Sequence, residues 1–146
     1  MKITGLKGRS PETYANPRTS GDVQTISDVD QAGVVNLSNS GFVDLIAPQA
    51  LPGGGGFRAI ITYSGVLENP APGSVTVEVK IEAAHETYTR LIEVTATNSP
   101  VSFSMVFETG FLVPIIPGVF VQAMTTTPGD TANSTDASIV IIVTPT

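Results

Sequence analysis

The chain has no cysteine, no tryptophan and a single histidine among its 146 residues. Without cysteine there is no disulfide framework and no thiolate metal site. The only imidazole is His85, so a nucleophilic triad would have to be built on it, and no serine sits in a G-x-S-x-G elbow. Aromatic platforms of the kind sugar clefts present are scarce, since the tyrosines are only three, Tyr14, Tyr63 and Tyr88. Charged residues make up only 14% of the chain. Long hydrophobic runs are missing too. The longest, Phe111 to Val121 (FLVPIIPGVFV), is broken by Pro114, Pro117 and Gly118, far short of the ~20 residues that cross a bilayer. No basic start leads into a 7–15-residue apolar run of the secretory type. These absences predict a soluble chain made in the cytoplasm, with no membrane partner and no cofactor. A length near 150 residues is enough to bury a core without a disulfide or a metal.

What is present is an uneven charge. The net charge is −6, which argues against a general nucleic-acid binder. Residues 1–18 carry Lys2, Lys7, Arg9 and Arg18 against Glu12, a net of +3, and the remainder carries a net of −9. The first twenty residues hold Gly5, Gly8, Pro11 and Pro17 and show neither a period of 2 nor one of 3.6. They read as an extended basic arm, residues 1–20, ahead of a domain at 21–146. Fully stretched, eighteen residues reach about 60 Å at ~3.3 Å each.

From Asp22 onward Gly, Pro, Asn and Ser punctuate the chain every 8–12 residues, the spacing of an all-β sandwich or barrel. Ser74 to Ala83 (SVTVEVKIEA) is the cleanest strand. Val75, Val77, Val79 and Ile81 share one face, and Thr76, Glu78, Lys80 and Glu82 share the other. Further strands are expected at Phe57–Ser64, Thr87–Thr97, Val101–Glu108, Val119–Thr126 and Ser138–Thr144, with shorter ones at Asp22–Val29, Val34–Ser38 and Phe42–Ala47. Ser138 to Val143 (SIVIIV) is apolar on both faces, which predicts a central strand covered on both sides or lying at a subunit interface. Thr125 to Ser138 reads as a long polar loop. The expected fold is all-β, an antiparallel β-sandwich of jelly-roll type with an extended N-terminal arm. An immunoglobulin-like order competes, although its Cys…Trp…Cys pins are missing.

Candidate sites are few. Gly53–Gly56 lacks the Lys-Ser/Thr of a phosphate loop and leads into a strand, so it reads as a flexible turn. His85, between acidic neighbours at a strand end, reads as a surface residue. Asp28 with Asp30, or Asp130 with Asp136, could offer oxygen ligands to Ca²⁺, but no twelve-residue calcium loop is present, and solvated turn aspartates explain them. The sequons at Asn36 and Asn133 read as chance matches. Phe111–Val121 is the strongest candidate. A kinked apolar run either joins the core or covers a neighbour, and exposed apolar patches mark interfaces.

An acidic, cysteine-free β-sandwich with a basic arm at residues 1–20 and an apolar Pro-rich segment at 111–121 resembles the decoration, or cement, proteins of tailed bacteriophage capsids. The resemblance implies a homo-oligomer on the outer surface of the virion, a trimer or a dimer, bridging neighbouring copies of the major capsid protein. On this reading Lys2, Lys7, Arg9 and Arg18 make the arm contact, and Phe111, Leu112, Ile115, Ile116 and Phe120 the apolar one. No catalytic residue, cofactor or metal is expected. The alternative is a carbohydrate- or receptor-binding β-module of a viral tail spike or fibre, its contacts carried by Thr125–Ser138.

Overall fold

The computed structural model describes residues 23–51, 56–110 and 118–145. The arm and seven residues of the Pro-rich segment, 111–117, lie outside them. Ten strands run along the chain: β1 (Gln24–Gln31), β2 (Val35–Leu37), β3 (Val43–Asp44), β4 (Gln49–Ala50), β5 (Phe57–Glu68), β6 (Ser74–Ala83), β7 (Glu86–Thr95), β8 (Val101–Glu108), β9 (Gly118–Thr125) and β10 (Ala132–Pro145). They form two antiparallel sheets packed face to face. The first has the order β1-β10-β5-β8, with β2 also on β10. The second has the order β3-β9-β6-β7, with β4 also on β9.

This order settles the topology. β1 and β2 pair with successive parts of β10, and β3 and β4 with successive parts of β9, so each couple acts as one interrupted strand. Eight strands remain, and the chain crosses between sheets so that first and last strands are neighbours. That is a jelly roll of two Greek keys, and the immunoglobulin-like order is excluded.

The core sits between the sheets. β6 contributes Val75, Val77, Val79, Ile81 and Ala83, and β9 contributes Val119, Val121 and Ala123. Opposite them lie Ala59, Ile61, Tyr63 and Leu67 of β5 and Ile139, Ile141 and Val143 of β10. Strict alternation produces this, because successive side chains of a strand point to opposite faces. Gly65 is required by packing. A Cβ there would stand 2.9 Å from the Tyr63 hydroxyl, whose ring lies over it. That hydroxyl and Ser134 Oγ are buried neighbours, close enough to influence each other but without a hydrogen bond of ordinary geometry, and neither has another partner among the described residues. Burial pushes the Tyr63 pKa up to about 12, and Ser134 draws it back only partly.

Both sides of the sandwich are laced. On the β1 side, Ser27 Oγ donates to Gln49 Oε1 at 2.5 Å and the Ala47 amide donates to Gln31 Oε1 at 2.8 Å. On the other, the Tyr88 and Phe107 rings meet at 5.8 Å, and Arg90 Nη1 donates to the Ser104 carbonyl at 2.8 Å. The Arg90 guanidinium thereby occupies backbone on the free edge of β8, a place where sheets otherwise recruit foreign strands.

The segment Thr125–Ser138 differs from its reading as a loop. Residues 132–138 are the first half of β10, paired with both β2 and β5. Their composition is polar, but Ala132, Ser134 and Ala137 are buried. A register shift between Thr135 and Ser138, with Asp136 at φ 53°, lets the strand bend there.

Candidate functional site

Nothing among the described residues converges as an active site would. His85 is exposed in the two-residue turn between β6 and β7, where Ala84 has φ 53°. No group of three or more His, Cys, Asp or Glu residues is placed to hold a metal, among the described residues. Asp28 and Asp30 both point outward from β1 and are exposed. The fold instead brings Asp30 beside Asp136, in a shallow recess of about 260 Å³. A second recess, about 370 Å³, lies between Ser38–Ser40 and Pro128–Thr131, and no aromatic residue is among its described lining.

The outer faces of the two sheets are more informative. On the second sheet β6 shows Glu78, Lys80 and Glu82 to the outside, and each register row crosses one of them. Lys80 Nζ stands 4.2 Å over the Phe42 ring, and Gln122 Nε2 donates to Asp44 Oδ1 at 3.0 Å. This face has a charged central strand, flanked by Leu91, 63% exposed, and by the half-buried Met124 and Phe120.

The first sheet lacks such a charged centre. Register places Thr25, Ile142, Ile60 and Glu108 in one outward row, and Asp28, Val140, Thr62 and Val106 in the next. Four aliphatic side chains, Ile60, Val106, Val140 and Ile142, therefore cluster over the three adjacent strands β10, β5 and β8. Ile60 is 36% exposed and Val106 is 59% exposed. Val140 and Ile142 are half-buried among neighbours of their own sheet. No described residue covers the cluster. Carboxylates rim it, Asp28 and Asp30 on β1, Glu108 on β8 and Glu68 on β5, with Arg58 the one base among the described residues of this outer face. At one end, Arg58, Ile60, Glu108, Thr109, Gly110 and Thr144 line a recess of about 460 Å³. Thr109 anchors that end. Its Oγ1 accepts from the Ala59 amide at 2.9 Å, while Glu86 accepts from the Gly110 amide at 3.2 Å.

The double-sided apolar run in β10 therefore occupies the central position expected of it, buried on one face and uncovered on the other. Ile60 and Val106 escaped the reading of the sequence. Val106 breaks the serine alternation of VSFSMVFE, and Ile60 follows an outward Arg58, which is the signal that would have found them. Of the residues expected to bind partners, Phe120 lies half-buried on the outer face of β9, its ring 3.1 Å from where a Gly118 Cβ would stand. Lys2, Lys7, Arg9, Arg18, Phe111, Leu112, Ile115 and Ile116 lie outside the described residues. Phe120 belongs to the other sheet, so it does not join the aliphatic cluster.

No protein-family model matches this chain, and no curated protein does. Some solved structures are similar at low identity and with TM-scores below 0.5. The PRD1 vertex protein P5 is similar at 9% identity and a TM-score of 0.48, over 86% of this chain and 99% of that one. A chain of infectious bursal disease virus, Gx strain, is similar at 13% and 0.47, over 92% of this chain and 36% of that one. An exo-beta-1,3-galactanase from Phanerochaete chrysosporium is similar at 15% and 0.32, over 84% of this chain and 29% of that one. Likeness at this level decides neither fold nor function, and the jelly-roll order rests on the strand pairing alone.

Proposed function

We propose that this chain is a structural protein of a virion, a decoration protein that binds other polypeptides and does no chemistry. Jelly rolls serve viral shells, lectins and cupins alike, so the fold narrows the choice and the surface must make it. The observation that carries the reading is the aliphatic cluster of Ile60, Val106, Val140 and Ile142 on a sheet centre that nothing described covers. Such a face has its value in contact. In the fuller form of the proposal, a homo-oligomer, a trimer by preference, seats on the outer surface of a phage shell and bridges neighbouring major capsid proteins. The basic arm, through Lys2, Lys7, Arg9 and Arg18, and the apolar segment around Phe111–Phe120 add contacts. Exposed ion pairs contribute only about 0–1 kcal/mol each, so hydrophobic contact and multiple attachment must supply the rest.

The test is co-sedimentation with expanded capsid shells. Full-length chain should bind. Val106→Asp should weaken binding roughly tenfold or more, because a buried unpaired polar group costs about 1–3 kcal/mol. Deletion of residues 2–18 should change it as well, by loss of the arm's own contacts or by exposure of the face. Equal binding by all three would remove both surfaces from the account.

A further inference from the structure

The uncovered face and the arm have matching properties. The face offers four carboxylates, Asp28, Asp30, Glu68 and Glu108, against Arg58 alone. A second copy laid face to face would set like charge against like charge, which is unfavourable. The arm is the basic part of an otherwise acidic chain, and it carries Ile3, Leu6 and Tyr14 between its charges.

Its point of attachment also fits. The described chain starts at Val23, and Gln24 lies opposite Val143, one residue from the row of Thr25, Ile142, Ile60 and Glu108. The recess lined by Arg58, Ile60, Glu108 and Thr144 is at this same end of the sheet. Neighbouring strands are about 4.8 Å apart, so β8 is about 14 Å from β1, and roughly five extended residues would cross. Twenty-two residues precede Val23, and Ser20-Gly21, separated from it by Asp22 alone, is a turn-forming dipeptide.

We infer that in the unassembled protein residues 1–22 fold back across the outer face of the β1-β10-β5-β8 sheet of their own chain and cover Ile60, Val106, Val140 and Ile142. A tether this short holds the arm at an effective concentration in the millimolar range, which favours the chain's own face over a neighbour's in dilute solution. The arm is then a mask: it keeps the aliphatic face from premature association, and a partner must displace it. The inference stands on the face, the charges and the tether, and does not depend on the partner being viral.

The absence of native cysteine makes the test clean. Ser10→Cys carries a nitroxide label in a methyl-labelled chain, diluted with an excess of unlabelled, unmodified chain so that only effects within one molecule register. The methyl signals of Ile60, Val106, Val140 and Ile142 should lose most of their intensity, while Leu91, 63% exposed on the other sheet, keeps its own. An arm with Lys2, Lys7, Arg9 and Arg18 all changed to Glu has the same tether and should restore the lost intensity. Equal loss at Leu91, or no loss at the four aliphatics, overturns the inference. So does an unchanged loss in the charge-reversed arm, which would make it an effect of the tether alone. Loss seen only when nitroxide and labelled methyls are on different molecules overturns it too, in favour of arm exchange between copies.

Discussion

The two sheets have inner faces of the same kind and outer faces of different kinds. β6 and β10 are both central strands with fully buried aliphatic rows, Val77, Val79 and Ile81 on one and Ile139, Ile141 and Val143 on the other. Outside, β6 shows Glu78, Lys80 and Glu82, while β10 shows Val140 and Ile142. A charged outer row tells the strand which way to face water, because a one-residue slip would bury carboxylates. β10 has no such signal over Ser138–Val143, and its register is held by its neighbours. The lesson is that inner faces account for the fold, and the difference between outer faces marks out the aliphatic patch on which the proposal rests.

The sharpest test of this contrast uses adjacent residues of β10. Ile141→Ala should destabilise the chain by about 2–5 kcal/mol in denaturant unfolding, since it opens a cavity between the sheets. Ile142→Ser should change stability by only about 0.5 kcal/mol, measured on a chain lacking residues 2–18 so that no arm contact contributes. Similar losses at both positions would mean that the outer face is as covered as the inner one. Gly65→Ala should cost about 1–3 kcal/mol, because its Cβ must displace the Tyr63 ring. On the opposite outer face, Lys80→Met should lose about 0.5–1 kcal/mol of cation–π attraction to Phe42, and no interaction with a partner.

The smallest effect is expected at Tyr63. Its hydroxyl is buried without a hydrogen bond, so Tyr63→Phe should be neutral or slightly stabilising near pH 7. At high pH the sign is fixed by linkage. The folded pKa, about 12, exceeds the ordinary value of 10.0, so the unfolded chain loses this proton first. The stability linked to Tyr63 is fully present below pH 10 and is lost as pH rises through about 12. Tyr63→Phe should remove that part of the alkaline slope, as read by urea unfolding across this window.

How much of this was legible in the sequence depended on local pattern. β6 was readable residue by residue, since SVTVEVKIEA alternates without exception. The two-residue pieces β3 and β4 were not, because so short a segment carries no period. The first half of β10 was misread because Asn133–Asp136 has loop composition, and what makes it a strand is backbone pairing to β2 and β5, which composition does not encode. The aliphatic patch was half legible. Ile142 and Val140 stood out in SIVIIV, but Ile60 and Val106 became part of the same surface only once register set them beside β10.

By itself, then, the sequence determined the class of the molecule. Without cysteine, and with strand periodicity throughout, it had to close two β-layers over an aliphatic core, and its early residues had to be basic against an acidic body. Only the tertiary structure decided that the layers are a jelly roll, that four aliphatic side chains from three strands meet on one outer face, and that Val23, where the described residues begin, lies at the edge of that face. The reason is physical: alternation along a strand is local and survives in one dimension, whereas neighbours across a sheet are set by register between segments as far apart as β5 and β10.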